Sequence, residues 1–320
     1  MDETPRSQLG EPTTLNRKDN IRRRRVATDG IKVEYFVFGS GPETVLMIAG
    51  NGRWANDLDG IADAIARAGF GAVTINHRGI GGSEGPLDNV TLHDLASDVW
   101  KVADDLKFSK VHLAGKTYGQ RIMRTASADQ PDRVLSLIAM GCGGEILPPE
   151  EVQNAYRRMN EPDIGQEEWV ELNAFANFAK ANTDKSRLGL GGSYPEVAKA
   201  QLAITNRTPL DEWWQGGTAP MLVVQGLEDR VAVPQNAFNL AIKRPDTWLV
   251  GIPNCGHNMV FEQPDEVAEQ IVAFLKRLGG RVPQARRPLT VKNRSSRPIF
   301  VVPDTTRNVA TGGDNDQDFG

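Results

Sequence analysis

The sequence predicts an α/β protein built on a mostly parallel, doubly wound sheet. Short β-rich runs alternate with amphipathic helical patterns over residues 31–278, which is typical of a parallel sheet covered by helices on both faces. One such run ends at 115–119 in a Gly-x-Thr-x-Gly turn that leads directly into a helical pattern. The alternation stops over 145–219, where the spacing is helical, so we expect a helical cap inserted after the sixth core strand.

The individual elements follow from periodicity and capping signals. Apolar residues from Leu92 to Leu106 recur at steps of three and four behind a capping box of Thr91 and Asp94, which predicts a helix. The last core helix begins near Pro264 and stops at 279–280. The β-rich runs predict strands over 32–38, 44–49, 72–76, 110–114, 134–140, 221–225 and 247–252.

Composition limits the classes of partner. The chain has 320 residues, of which 39% are hydrophobic and 24% charged, and its net charge of -4 provides no basic field for nucleic acid or an anionic membrane. No window reaches the ~18 apolar residues that a membrane span needs, and the polar start lacks the apolar segment of a signal peptide, so we expect a cytoplasmic protein. In that compartment Cys142 and Cys255 are expected to be free thiols.

The predicted organisation is a core, a cap and two tails. The core comprises 23–144 and 220–280, the cap 145–219, and the polar segments 1–22 and 281–320 are expected to be flexible tails. The basic run at 22–25 is interpreted as a solvated lead-in to the first strand, without a function. The sequence leaves open whether the protein forms a homo-oligomer.

The turn at 115–119 has the shape of a nucleophile elbow. Gly115 and Gly119 leave room for a sharp bend from strand to helix, which lifts Thr117 above the end of the sheet. Acyl transfer also needs a base, an acid that orients the base, and donors for an oxyanion. Of the four histidines, only His257 occupies a late loop after the last strand, where the base is expected.

Four segments of the chain resemble the α/β-hydrolase superfamily. They are the turn around Thr117, where the family usually has Ser; the loop Asn76-His-Arg78-Gly79-Ile-Gly81-Gly-Ser83, with Asn in place of the usual Asp; the acid loop Gly226-Leu-Glu-Asp229; and Gly256-His257 followed by Glu262-Gln-Pro264. The resemblance implies the α/β-hydrolase fold, with Thr117 as nucleophile, His257 as base and Asp229 as acid. Glu228 and Glu145 are less favoured candidates for the acid.

The resemblance also implies an oxyanion hole formed by the backbone N–H groups of Asn51 and Tyr118. The loop reads Ala49-Gly50-Asn51-Gly52 where the family commonly has His-Gly. Because backbone amides are the donors, this change need not remove the hole. The expected substrate is a small organic molecule, and the expected chemistry requires no cofactor and no metal.

The chain departs from the family around the nucleophile. A β-branched residue tolerates the strained elbow less well than Ser, and such strain costs ~1–3 kcal/mol. Lys116 stands where His is common, and Gln120 stands where a second Gly often sits. Thr117 still retains a hydroxyl that His257 can activate, so it is not equivalent to Ala.

Plainer interpretations stay open for each residue. Thr117 and Asn51 are also common in turns, Asp229 in helix caps and His257 in structural loops. Three functions are therefore compatible with the sequence: hydrolysis of an ester, thioester, lactone or related acyl bond through a Thr-His-Asp triad; lyase or C–C bond chemistry by a His-Asp base without a covalent intermediate; and a small-molecule-binding module without turnover.

Overall fold

A computed structural model of the protein describes residues 22–182, 194–244 and 246–279. Its centre is one eight-stranded sheet with the strand order β1-β2-β4-β3-β5-β6-β7-β8. The strands are β1 (Arg22–Thr28), β2 (Ile31–Phe38), β3 (Thr44–Ile48), β4 (Gly71–Ile75), β5 (Val111–Lys116), β6 (Val134–Met140), β7 (Met221–Gly226) and β8 (Thr247–Ile252). Seven of them match the predicted runs to within two residues at either end.

The sheet is mostly parallel, as predicted. Strands β3 to β8 pair in parallel, whereas β2 runs antiparallel to both β1 and β4. The interpretation of 22–25 as a solvated lead-in was wrong, because these residues begin the edge strand β1. Arg24 and Arg25 nevertheless remain exposed there, and an edge strand tolerates charged side chains because one of its sides has no strand neighbour.

Helices cover both faces of the sheet. The ten α-helices of the described residues are α1 (Asp59–Arg67), α2 (Leu92–Asp105), α3 (Tyr118–Asp129), α4 (Glu150–Met159), α5 (Gln166–Asn177), α6 (Pro195–Arg207), α7 (Leu210–Trp213), α8 (Pro234–Lys243), α9 (Met259–Glu262) and α10 (Pro264–Leu278). Helices α2 and α3 pack on one face through residues such as Val99 and Ile122. Helices α1 and α10 pack on the other through residues such as Ile65 and Phe274.

Two predicted helices have the expected limits. Helix α2 begins with the predicted capping box, in which Thr91 N donates to Asp94 Oδ2 at 2.7 Å. Helix α10 begins at Pro264, whose fixed φ suits a first helical turn, and ends at Leu278 before Gly279. Both helices therefore follow from local sequence signals.

The segment between β6 and β7, called the inserted segment below and comprising 145–219, contains helices α4 to α7 and no strand among its described residues. Helices α4 and α5 share a small core of their own that includes Val152, Met159 and Ala176. The predicted tails 1–22 and 281–320 lie outside the described residues, except for Arg22, which begins β1. In the part of the chain that the structure describes, every helix is too short or too polar to cross a bilayer.

Candidate active site

The elbow joins β5 to α3 in the tightest turn of the site. A Cβ atom on Gly115 would lie 2.2 Å from the backbone nitrogen of Gln120, and one on Gly119 would lie 2.2 Å from the carbonyl oxygen of Ile48. No side chain fits at those distances, so glycine is required at both positions. The bend raises Thr117 at the carboxyl end of β5, as the sequence predicts.

Thr117 has an unusual backbone conformation for a β-branched residue. Its φ is 53° and its ψ is -106°, a region where such residues are strained by ~1–3 kcal/mol. The hydrogen bond from Thr117 N to Met140 O, 2.8 Å long, ties the elbow to the end of β6. The side chain is half-buried and stands at the start of α3.

Three side chains that are distant in the sequence meet at this end of the sheet. Thr117 Oγ1 lies 3.0 Å from His257 Nε2, and His257 Nδ1 lies 2.9 Å from Asp229 Oδ2. Imidazole and carboxylate are almost fully buried, with 4% and 2% of each residue exposed. Distances of this size suit proton transfer between the hydroxyl and the ring.

Asp229 is held in place by donors other than the imidazole. Its Oδ1 accepts hydrogen bonds from the backbone nitrogens of Val231 (2.9 Å) and Ala232 (2.7 Å), and Gln225 Nε2 donates to Oδ2 at 3.2 Å. The carboxylate therefore has one orientation, which fixes the tautomer of His257 that donates from Nδ1. The two alternative acids pair elsewhere: Glu228 accepts from Lys180 N, and Glu145 pairs with Lys243.

The predicted oxyanion donors belong to the elbow itself and to the neighbouring loop 50–52. Tyr118 is the first residue of α3, so its N–H has no acceptor within the helix. The loop 50–52 packs against the elbow, since a Cβ atom on Gly50 would lie 3.7 Å from Thr117 Cβ. The side chain of Asn51 donates to Ala198 O and to Gln201 Oε1, which leaves its backbone amide as the group available to the site.

A buried histidine, His77, contacts the residue that precedes the loop 50–52. His77 is 5% exposed, and burial lowers its pKa from the usual 6.5 to about 4. The neutral ring lies with Nε2 3.1 Å from Ala49 O, immediately before the loop 50–52. His77 is thus positioned to hold the loop and not to titrate near neutral pH.

We compared the chain with known proteins. A family model for the alpha/beta hydrolase fold matches residues 43–163. A 2-hydroxy-6-oxononadienedioate/2-hydroxy-6-oxononatrienedioate hydrolase from Burkholderia vietnamiensis is 26% identical over 277 residues, which cover 79% of this chain and 94% of that protein. A 2-hydroxy-6-oxo-6-phenylhexa-2,4-dienoate hydrolase from Burkholderia cepacia is 25% identical over 292 residues, covering 86% and 99%. A thermophilic esterase from Thermogutta terrifontis has a TM-score of 0.66 at 22% identity, covering 80% and 99%.

The chain has the α/β-hydrolase fold. Its named relatives along most of its length are hydrolases, and the chain is an enzyme. Within residues 22–182, 194–244 and 246–279, no group of three His, Cys, Asp or Glu side chains is arranged to hold a metal ion. The two cysteines of this enzyme, Cys142 and Cys255, are free and buried.

The enzyme carries a buried lysine beside its elbow. Lys116 Nζ donates to Asn258 Oδ1 at 3.1 Å, and burial lowers the Lys116 pKa from 10.5 to about 8. Asn258 directly follows His257, and its N–H donates to Asn177 O at 2.9 Å. The sequence marks Lys116 only as a departure from the family, and no local pattern signals its partner Asn258.

The inserted segment contacts the site through helices α5 and α6, among other bonds. The end of α5 contacts the loop that carries His257, because the Asn258 N–H donates to Asn177 O. Helix α6 holds the loop 50–52, because Gln201 Oε1 accepts from Gly52 N at 2.8 Å and from Asn51 Nδ2 at 3.1 Å. Sequence reasoning missed Gln201, since a lone glutamine in a helix carries no signal of what it contacts.

Proposed function

We propose that this hydrolase cleaves an ester, thioester, lactone or related acyl bond of a small organic molecule, with Thr117 as nucleophile, His257 as general base and Asp229 as the acid that orients it. The observation that carries the proposal is the 3.0 Å separation of Thr117 Oγ1 and His257 Nε2. We assign the oxyanion to the N–H groups of Asn51 and Tyr118. The inserted segment acts as the cap over the bound substrate.

The first half-reaction forms an ester on Thr117. His257 donates from Nδ1 to Asp229, so its Nε2 has a lone pair directed at the Thr117 hydroxyl. As Oγ1 attacks the acyl carbon, the hydroxyl proton passes to Nε2, and the carbonyl oxygen becomes an oxyanion that the two amides stabilise. The imidazolium then gives this proton to the departing oxygen or sulfur atom, and the acyl group remains on Thr117.

The second half-reaction releases the acid. Water enters the place of the leaving group and attacks the ester carbon while His257 Nε2 accepts its proton. When the second tetrahedral intermediate collapses, that proton returns to Thr117 Oγ1. The free carboxylic acid leaves, and the three side chains recover their starting protonation states.

One observation favours a second candidate function. The methyl group of Thr117 adds bulk where a tetrahedral carbon would form, and its φ of 53° already strains this residue. The names of the relatives denote hydrolases of 6-oxo dienoic acids, and hydrolysis at such a ketone carbon would break a C–C bond. In this alternative His257 and Asp229 activate water, and Thr117 only hydrogen-bonds the substrate.

Two variants distinguish the candidates. Activity on 4-nitrophenyl acetate, a simple acyl ester, should fall by about 10³-fold or more in both Thr117→Ala and His257→Ala if Thr117 is the nucleophile. Activity that survives Thr117→Ala but is lost in His257→Ala would favour the second candidate. Unchanged activity in His257→Ala would reject both.

A further inference from the structure

Two arginines one turn apart on α3 have no acidic partner within residues 22–182, 194–244 and 246–279. Arg124 is 1% exposed, and its guanidinium carbon lies 4.8 Å from the ring centre of Trp213. Arg121 is half-buried, and its guanidinium carbon lies 5.4 Å from the same ring. Among the described residues, no carboxylate lies within ion-pair distance of either guanidinium.

The two guanidiniums differ in what they already bind. Arg124 donates to Trp214 O at 2.7 Å and to Gly143 O at 3.0 Å, so it joins the inserted segment to the loop after β6. Arg121 donates to no acceptor in the part of the chain that the structure describes. With respect to the described residues, its five N–H donors are available for a ligand, whereas those of Arg124 serve the fold.

Arg121 lies close to the proposed site. It lies in the first turn of α3, whose first residue Tyr118 directly follows Thr117. A Cβ atom on Gly143 would lie 3.7 Å from Arg121 Nη2, and one on Gly141 would lie 3.5 Å from the His257 ring. Two residues of chain span at most ~7 Å, so one short loop borders both the imidazole and the guanidinium.

A charge in this position requires compensation. Burial lowers the pKa of Arg121 and of Arg124, and the charge of Arg121 repels the neighbouring guanidinium and helps to lower the Arg124 pKa. The flat guanidinium matches a carboxylate with two parallel hydrogen bonds, which are stronger than bonds between neutral groups. An anionic substrate would supply the missing counter-charge and the missing acceptors together.

We propose that Arg121 binds a carboxylate of the substrate, so that the preferred substrates are acyl compounds with a free carboxylate remote from the bond that is cleaved. This inference rests on the proposed acyl hydrolysis and specifies its substrate class. Arg121 acts in binding and orientation, and it takes no part in proton transfer.

The kinetic test uses two esters that differ only in charge: the 4-nitrophenyl ester of glutaric acid with its second carboxylate free, and the same ester with that carboxylate methylated. The wild type should favour the free acid by about 100-fold in kcat/KM, mainly through KM. Arg121→Met should remove this preference and change the rate on the methylated ester by less than about twofold. Arg121→Lys keeps the positive charge but lacks the paired N–H groups of the guanidinium. Its preference for the free acid should lie between those of the wild type and Arg121→Met.

The binding test does not depend on turnover. Monomethyl glutarate is titrated into the Thr117→Ala variant in a calorimeter and should show saturable binding. The affinity should fall at least tenfold in the double variant that also carries Arg121→Met. Dimethyl glutarate, the uncharged control, should bind equally to the single and the double variant. Absence of binding, or equal binding with and without Arg121, would overturn the proposal. Turnover of both esters at the same rate would reject carboxylate binding by Arg121 and leave the proposed hydrolysis standing. Binding that depends on the carboxylate, without turnover, would support the role of Arg121 and reject the hydrolysis.

Discussion

The side-chain amide of Asn76 donates a hydrogen bond of 2.8 Å to the fully buried carboxylate of Glu34. The same carboxylate oxygen accepts from Gly82 N at 2.7 Å. An Asp at position 76, as the family usually has, would face Glu34 with a second negative charge and no donor. The departure of this loop from the family is therefore matched by a partner on β2.

Asn76→Asp should destabilise the protein. Loss of a donor to a buried carboxylate, together with charge repulsion, costs about 2–4 kcal/mol at neutral pH. Urea unfolding of the variant at pH 7 measures this loss. The double variant Asn76→Asp with Glu34→Gln restores the hydrogen bond between the two side chains but leaves the Gly82 N–H without its acceptor, so it should recover part of the loss, whereas an equally unstable double variant would contradict the pairing.

Lys116 should make stability depend on alkaline pH. Because burial depresses its pKa to about 8, the unfolded chain binds more protons than the folded one between pH 8 and the usual lysine pKa, so stability rises with pH over this window. The gain is on the order of 3 kcal/mol. Lys116→Met should abolish it.

The measurement is the difference between wild type and Lys116→Met in the free energy of unfolding, taken at pH 7, 8, 9 and 10. Other groups that titrate in this range cancel in the difference. If the free energy of unfolding changed with pH in the same way in both proteins, the pKa of the buried Lys116 amine would not be lowered.

Thr117→Ser should increase hydrolysis. The substitution keeps the hydroxyl and removes the methyl that would crowd the tetrahedral carbon formed on Oγ1. A barrier lower by ~1–3 kcal/mol would raise kcat about tenfold to a hundredfold. Thr117→Val, which keeps the shape and lacks the hydroxyl, should be inactive. Steady-state kinetics on 4-nitrophenyl acetate compares the variants, and a Ser variant no faster than the wild type would argue against crowding by the methyl.

Gln201 should link the inserted segment to the loop 50–52. Gln201→Leu leaves the Gly52 N–H, which donates to the amide oxygen at 2.8 Å, without an acceptor, and displacement of the loop should lower kcat by about tenfold. Because the proposed oxyanion donors also act on the residual rate of His257→Ala, the same substitution in that background should lower the residual rate by a similar factor, and an unchanged residual rate would contradict the role of the loop. A circular-dichroism spectrum that matches the wild type is the control against general unfolding.

Local signals predicted most of the fold and a large part of the candidate site. Gly115 and Gly119 mark the elbow because only glycine fits beside the backbone there. The order of Thr117, Asp229 and His257 along the chain suggested three side chains that the structure brings together. The helix α2 followed from its apolar period and its capping box.

Contacts made by tertiary packing escaped prediction. Edge strand β1 begins with four arginines, a run that lacks the alternation typical of a half-buried strand, and its pairing with β2 decides its conformation. The bonds of Lys116 to Asn258 and of Gln201 to the loop 50–52 join residues far apart in sequence. Neither type of contact leaves a periodic pattern in one segment.

The most direct test of the proposed mechanism is covalent labelling of Thr117. A fluorophosphonate reacts with activated hydroxyls, so incubation followed by intact-mass and peptide analysis should show one adduct on Thr117, formed at least 100-fold more slowly in His257→Ala. No adduct on the wild type, or an adduct on another residue, would contradict a hydroxyl nucleophile activated by His257.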